Sequence, residues 1–368
     1  MPSVTFSTIN GVLTATITGT GTLDYGQVSL LITDSNGNKA TAVEIEGYST
    51  ISTYSFIGTP GVTSITDGDS VTTLEWYAFR FSSLSQFTIP ATLTTINTRA
   101  FDKVSTLTSI TVASGNTNYS SNNGVLFDDS GETLIKYPIG NTRTSYEIPA
   151  GVKTIGFQAF RTASHVTSIT MPSSVTSIET GAFFSATGLT SINIPASVTS
   201  IGNGVFGSSG LTSITIPSSV TSFGSYVFQF ALALTSVTFE AGSQITVIGN
   251  NTFHGTGITS INIPSSVTTI GDYAFNSTSS LTSITISSGV TTIGDYAFNG
   301  TSSLTWVAFE ENSQLTTSGL EATVFHNSSV ATIYAFQPLI DTMGWTRSDS
   351  TDPPTLNNIG GKSDINVS

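Results

Sequence analysis

Apolar residues recur along this chain in one phrase. It reads Leu-Thr-Ser-Ile-Thr-Ile-Pro, then Ser-Ser-Val-Thr-Ser-Ile-Gly, then a short stretch ending in Ala-Phe. The closing aromatic falls at Phe56, Phe79, Phe101, Phe160, Phe183, Phe206, Phe228, Phe253, Phe275, Phe298 and Phe325. Most steps are 22 or 23 residues; Phe228 to Phe253 is 25, Phe298 to Phe325 is 27, and Phe101 to Phe160 is 59. Alternation at Ile-Thr-Ile predicts a strand with one buried face. The proline that follows, as at Pro195, Pro217 and Pro264, has no N–H to give a ladder and ends the pairing. A second extended piece comes next, such as Val198-Thr-Ser-Ile201. Two residues after its Ile lies a slot held by Thr98, Thr180, Asn203, Ser225, Asn250, Asp272 and Asp295. These residue types cap free backbone N–H groups. The pattern therefore predicts a single helical or 3₁₀ turn, closed by the buried Phe.

One copy cannot fold alone, because ordering its backbone costs more than burying its few large apolar side chains returns. Stacking supplies ladder hydrogen bonds and a continuous core. A period of roughly 20–29 residues with apolar residues spaced as in Leu211-Thr-Ser-Ile214-Thr-Ile216 is that of a leucine-rich repeat. The expected fold is mainly β: a leucine-rich-repeat solenoid with short helical or 3₁₀ turns, a β-rich N-terminal cap and one hairpin insertion.

The ends and the long step set the expected boundaries. Residues 1–42 read as a cap, with strands Val12–Ile17 and Val28–Ile32 and a tight turn at Asn36-Gly37. Residues 43–328 read as the solenoid. An insertion at about 113–146 holds strand Gly124–Phe127, turn Asp128–Gly131 and strand Thr133–Tyr137. Residues 329–368 read as a C-terminal cap and tail: a strand in Ser329–Ala335, a short helix in Gln337–Trp345, then a polar stretch from Thr346. That stretch is a candidate element for self-assembly.

Composition narrows the partners. About a third of the chain is Ser or Thr, charged residues are 9%, and 10 Lys and Arg face 23 Asp and Glu, a net charge of −13. Binding phosphates needs clustered cations, and no Lys or Arg lies between Arg161 and Arg347. Nucleic acid is therefore excluded as a partner. No cysteine is present, so thiolate metal sites, disulfides and a Cys nucleophile are excluded. No apolar run of about 18 residues suggests membrane insertion. The opening Met1-Pro2-Ser3-Val4 has neither a basic nor an apolar region, so no signal peptide is expected.

The phrase resembles the BspA-like leucine-rich-repeat family over roughly residues 11–325. Its most specific pieces are Asn118-Tyr119, Gly124-Val-Leu-Phe127, Leu134-Ile135, Tyr137-Pro138, Tyr146, Ile148-Pro149 and Ala159-Phe160. The opening Gly11-Val-Leu-Thr with Thr18-Gly-Thr-Gly21 is similar to the cap that precedes such repeats. The resemblance implies a right-handed solenoid used for adhesion and recognition at bacterial, protist or large-virus surfaces, with no catalytic residues.

Candidate chemistry is sparse, and neither a cofactor nor a metal site is expected. His165, His254 and His326 read as three isolated residues. Asp272 and Asp295 share a column, which fits a capping slot first and a carboxylate pair or calcium ligands second. Asp67-Gly-Asp69 and Asp128-Asp129 read as turns. The informative surface is the sheet, where one residue per copy points outward. These are Thr88, Thr111, Thr170, Asn193, Thr215, Thr238, Asn262 and Thr285, with Trp306 on the same sheet and Trp76 and Trp345 also singled out. The column predicts a neutral, hydroxyl-rich face binding protein or glycan on an extracellular or virion surface. A structural role in a larger assembly such as a virion, and ice binding by the regular Thr lattice, are the other readings.

Overall fold

The structure is a computed structural model that describes residues 2–59, 61–67, 70–316, 319–320, 323–330, 332–335, 339, 342–343 and 355–356. Two compact units form: Met1–Thr144 with Gly151–His165, and Ser145–Ala150 with Val166–Ser368. Both are built from the turns of a mainly β solenoid.

In the first unit, Ser3–Ile9 pairs antiparallel with Val12–Leu23, which pairs parallel with Ala42–Ile51. Between the last two runs the helix Tyr25–Leu31, where a strand over Val28–Ile32 is expected. Asp24 explains the difference. Its carboxylate accepts the Gln27 N–H while the Gln27 amide accepts the Asp24 N–H, a closed capping box. Val28 and Ile32, one turn apart, are then buried while Ser29 faces out. Ala42–Ile51 carries Ser64–Asp67 and Thr73–Leu74 as parallel neighbours, and Gln86–Ile89 pairs with Ser109–Val112. The expected hairpin is present as Val125–Asp128 against Thr133–Lys136, with Tyr119–Asn122 on its other edge.

In the second unit the repeat makes two kinds of parallel ladder. Ser145–Glu147, Ser168–Thr170 and Ser191–Ile192 form one; Ser213–Ile216 pairs with Ser236–Phe239; Ser283–Ile286 pairs with Trp306–Phe309, then Thr332–Tyr334. The second extended piece stacks separately, as in Ser177–Ile178, Ser200–Ile201 and Ser222–Phe223. Thr355–Leu356 pairs antiparallel with Thr332–Tyr334. Of the helix expected over Gln337–Trp345, residues 339, 342 and 343 are described and helical, and the rest of that range and of the tail lies outside the described residues.

The Phe columns are the spine of the core. Phe183, Phe206, Phe228, Phe253, Phe275, Phe298 and Phe325 stack at 5.1–5.7 Å between centroids. In the first unit Phe79 stacks on Phe101 at 5.3 Å, and Phe56 packs tilted on Phe79 at 5.5 Å. Tyr137 stacks on Phe160 at 4.9 Å, so the long step holds a further rung.

Ser and Thr hold neighbouring turns together. Thr235 directs both its N–H (3.0 Å) and its hydroxyl (3.2 Å) to the carbonyl of Thr212. Thr268 does the same to Thr246, and Thr291 to Thr268. The Ser197, Ser219 and Ser266 hydroxyls reach the carbonyls of Val175, Val198 and Ile245 at 2.6–2.7 Å. The glycine after each Ile has a matching reason. A Cβ on Gly202 would lie 2.6 Å from the Thr180 backbone nitrogen, and one on Gly294 would lie 2.7 Å from that of Asp272.

The turn before each Phe differs from the expected helical or 3₁₀ turn. Ala274, Asn276 and Thr278 donate three residues back, to Gly271, Tyr273 and Phe275, as a 3₁₀ turn would. Tyr273, Phe275 and Ser277 instead donate to Asp295, Ala297 and Asn299 of the next turn, at 2.7–2.9 Å. Tyr273 and Ser277 are left-handed, with φ of 56° and 55°, and this alternation stops a helix from forming.

Candidate recognition surfaces

The strand column is placed as the alternation requires. Thr88, Thr111, Thr170, Asn193, Thr215, Thr238 and Asn262 are exposed, and Thr285 and Trp306 are half-buried. Thr88 and Thr111 are paired in register and bond to each other at 3.0 Å. Thr215 sits opposite Thr238, and Asn262 bridges to Thr285. Thr170 and Asn193 line an open depression of ≈ 320 Å³ together with Met171. Another, of ≈ 270 Å³, is lined by Asn262, Pro264, Glu240 and Glu310. Trp306 pairs with Ser283 and meets the Tyr334 ring edge-on at 5.9 Å.

At Asn203, Asn250 and Asp272 the polar slot before the Phe caps the next turn rather than its own. Asn203 Oδ1 accepts the N–H of Ser225 in the next turn at 2.8 Å. Asn250 Oδ1 accepts from Asp272, and Asp272 Oδ1 from Asp295, each at 3.0 Å. Asp295 in turn accepts the Thr323 hydroxyl. Asp272 and Asp295 are thus successive acceptors in a ladder on a partly exposed edge. Among the described residues no three His, Cys, Asp or Glu side chains come together to hold a metal ion. Asp128 closes its turn by accepting the Gly131 N–H at its carbonyl and the Thr133 N–H at its carboxylate. Gly68, Asp69 and Trp345 lie outside the described residues.

His254 is not the isolated residue expected. Its Nδ1 bonds Asn251 Oδ1 at 3.0 Å, its Nε2 meets Asn276 Nδ2 at 3.2 Å, and its ring packs on Phe230 at 4.6 Å. The Asn251 acceptor and the Asn276 donor together select the neutral ring with its proton on Nδ1. Desolvation holds the His254 pKa below its ordinary value. The ladder continues outward, as Asn299 donates to Asn276 Oδ1 at 2.7 Å and Asn327 to Asn299 Oδ1 at 3.4 Å. His326 meets the Tyr296 ring edge-on, and His165 is exposed.

The same column, one residue after each stacked aromatic, is ionic in the first unit. Buried Asp102 lies between Arg80 (3.3 Å) and Arg161 (3.9 Å). Lys136 stands behind them in a position that Ala78, Ala100 and Ala159 fill elsewhere, and its ammonium reaches the Gln158 carbonyl at 3.4 Å. Burial drives the Lys136 pKa down to about 8, against the attraction of Asp102. Around this core stand rings: Tyr54 stacks on Tyr77 at 5.4 Å, and Trp76 is 46% exposed. Sequence reasoning singled out Trp76 alone from this group. The column spacing could have found the rest, since Tyr54 to Tyr77 is the 23-residue step from Phe56 to Phe79, and Tyr77 to Arg99 and Phe81 to Lys103 are the 22-residue step from Phe79 to Phe101.

Comparison with known proteins agrees with this architecture. A leucine-rich-repeat protein from Eubacterium ventriosum has a similar fold, with TM-score 0.61 and 24% identity, covering 85% of this chain and 99% of that one. The pneumococcal vaccine antigen PcpA follows at TM-score 0.54 and 17% identity, covering 89% and 98%. No curated protein matches the sequence. The model of the BspA type leucine rich repeat region matches residues 36–138, 139–253 and 234–344. With Phe stack, paired ladders and matched repeats in agreement over most of its length, the chain belongs to the BspA-type leucine-rich-repeat family.

Proposed function

We propose that the chain is a non-catalytic recognition or adhesion scaffold, binding protein or glycan through its strand face at an extracellular or virion surface. One observation carries this reading. Most Thr hydroxyls beside the face are consumed in holding turns together, as at Thr212, Thr235, Thr282 and Thr305. The outward column is not used that way. In the second unit Thr170, Asn193, Thr215, Thr238, Asn262 and Thr285 make no side-chain hydrogen bond to another described residue. Their donors and acceptors are left for a partner, on a flat face whose strands fix their spacing. No helix among the described residues is long and apolar enough to cross a membrane.

The test is a binding screen of the immobilised chain against a glycan panel and purified extracellular-matrix proteins. It is repeated with the double variant Thr215→Arg, Thr238→Arg, whose fold is checked by circular dichroism. The reading expects a ligand that the wild type binds and the folded variant loses. Ligands that bind both forms equally would defeat it, as would a screen with no ligand at all.

A further inference from the structure

The chain is acidic overall, yet a cationic edge stands on the first unit. Arg80 lies 4.9 Å from the Tyr77 ring centroid and 4.8 Å from that of Phe81. Arg99 lies 5.6 Å from Trp76 and donates to the Tyr77 hydroxyl at 2.7 Å. Lys103 lies 5.4 Å from Phe81, which is 50% exposed. These three half-exposed cations are among only ten Lys and Arg in the whole sequence.

The repeat allows rings at these positions but does not bring cations with them. Tyr77, Phe81 and Lys103 are left-handed, with φ of 58°, 57° and 54°. A side chain there crowds the following carbonyl, and bulky residues are the rarest occupants. In the second unit the positions equivalent to Tyr77 include glycine, at Gly181 and Gly204, and tyrosine, at Tyr226, Tyr273 and Tyr296, and those equivalent to Phe81 hold Ser185, Ser208 and Phe230 among others. No Lys or Arg lies between Arg161 and Arg347, so rings recur at these positions in the second unit, at Tyr226, Phe230, Tyr273 and Tyr296, without the cations of the first.

We infer that this edge is a second binding site, separate from the strand face, for an acidic saccharide. Trp76 and Phe81 offer flat apolar surface to the C–H faces of sugar rings. Arg99 and Lys103 offer charge-assisted donors to carboxylate or sulfate groups, with Arg80, already paired with Asp102, beside them. The bond from Arg99 to Tyr77 fixes one cation in place before any ligand arrives. Net charge separates this occupant from a nucleic acid. A protein at −13 repels a long polyanion, and three cations are few to track a phosphate backbone. A short saccharide with anionic groups at intervals matches Arg99, Lys103 and the rings interleaved with them.

The full chain is titrated by calorimetry with a heparin-derived hexasaccharide, with maltohexaose and with an eight-residue oligothymidylate. Saturable binding of the sulfated hexasaccharide alone is expected, weakening with added salt. Arg99→Gln and Phe81→Ser should each weaken it about tenfold, the loss of one charge-assisted or stacking contact. Serine already occupies the position equivalent to Phe81 at Ser185 and Ser208, so that variant keeps the fold, and its melting temperature is the check. No binding, equal binding of maltohexaose, tighter binding of the oligothymidylate, or unchanged affinity in folded variants would each overturn the inference. The strand-face variant Thr215→Arg, Thr238→Arg should bind the hexasaccharide normally, and its loss there would also overturn the second site.

Discussion

The position after each stacked aromatic is handled in opposite ways by the two units. In the first it runs Arg80, Asp102, Arg161, an ion cluster with Lys136 behind it. In the second it begins with Phe184, Gly207 and Gln229 and then runs His254, Asn276, Asn299, a neutral chain of amides and one imidazole. The backbone turn is alike in both, with left-handed residues at Tyr77 and Phe81 in one and at Tyr273 and Ser277 in the other. The repeat therefore fixes the inner side of each turn and leaves the outer column open to either chemistry. Neutral amides satisfy one another from turn to turn. Ions must be desolvated and then offset by their partners.

The largest expected difference comes from Lys136. Its pKa of about 8 in the folded chain, against 10.5 ordinarily, costs stability at neutral pH. Between those values the unfolded chain holds a proton that the folded chain has released, so stability rises with pH. Below 8 the whole penalty stands, about 3 kcal/mol at about 1.4 kcal/mol per pKa unit. Lys136→Met should therefore stabilise the chain by about that amount at pH 7 in urea unfolding, and the gain should vanish above pH 10.5. A variant no more stable than wild type would mean that Asp102 fully compensates the buried ammonium.

Smaller effects should divide the left-handed tyrosines. Tyr226 has φ of 61° and no ring partner or side-chain hydrogen bond among the described residues. Tyr226→Gly relieves the strain and should raise stability by about 1 kcal/mol. Tyr77→Gly relieves the same strain but loses the Tyr54 stack, the Arg80 contact and the Arg99 bond. It should lower stability by about 1 kcal/mol. Equal signs for the pair in thermal melts would break the contrast between a supported and an unsupported ring.

The smallest effect belongs to His254. Its pKa lies below 6.5 in the folded chain, so on acidification the unfolded chain takes up a proton first. Stability should fall as the pH drops through 6.5, and His254→Gln should flatten that slope in melts recorded at a series of pH values. An unchanged slope would show that the imidazole is freely solvated.

Much of the fold could be read from the residues because the strand alternation and the Phe period both report on the core. Tyr137 escaped because it is not Phe, although it stands 23 residues before Phe160. The helix Tyr25–Leu31 escaped because Val28 and Leu30-Leu31 are common in strands, and only the Asp24–Gln27 pair marks a helix start. The slot at Asn250 and Asp272 was legible as an acceptor of N–H groups. Whether the donor sits in the same turn or the next depends on a stacking distance that no local pattern carries. The strand column was placed by alternation alone. The cationic edge needs the period as well, because its members meet only when turns are laid over one another at the 22- or 23-residue spacing.

The paired use of one carbonyl by a threonine N–H and hydroxyl has a consequence for the conditions the molecule tolerates. Thr235 on Thr212, Thr268 on Thr246 and Thr291 on Thr268 join turns with groups that carry no net charge. Such bonds are not weakened by counterions, and a threonine hydroxyl gains or loses no proton in the ordinary pH range. Brine and mild acid reach the ions and the imidazole at the outer column while leaving the seams between turns as they were.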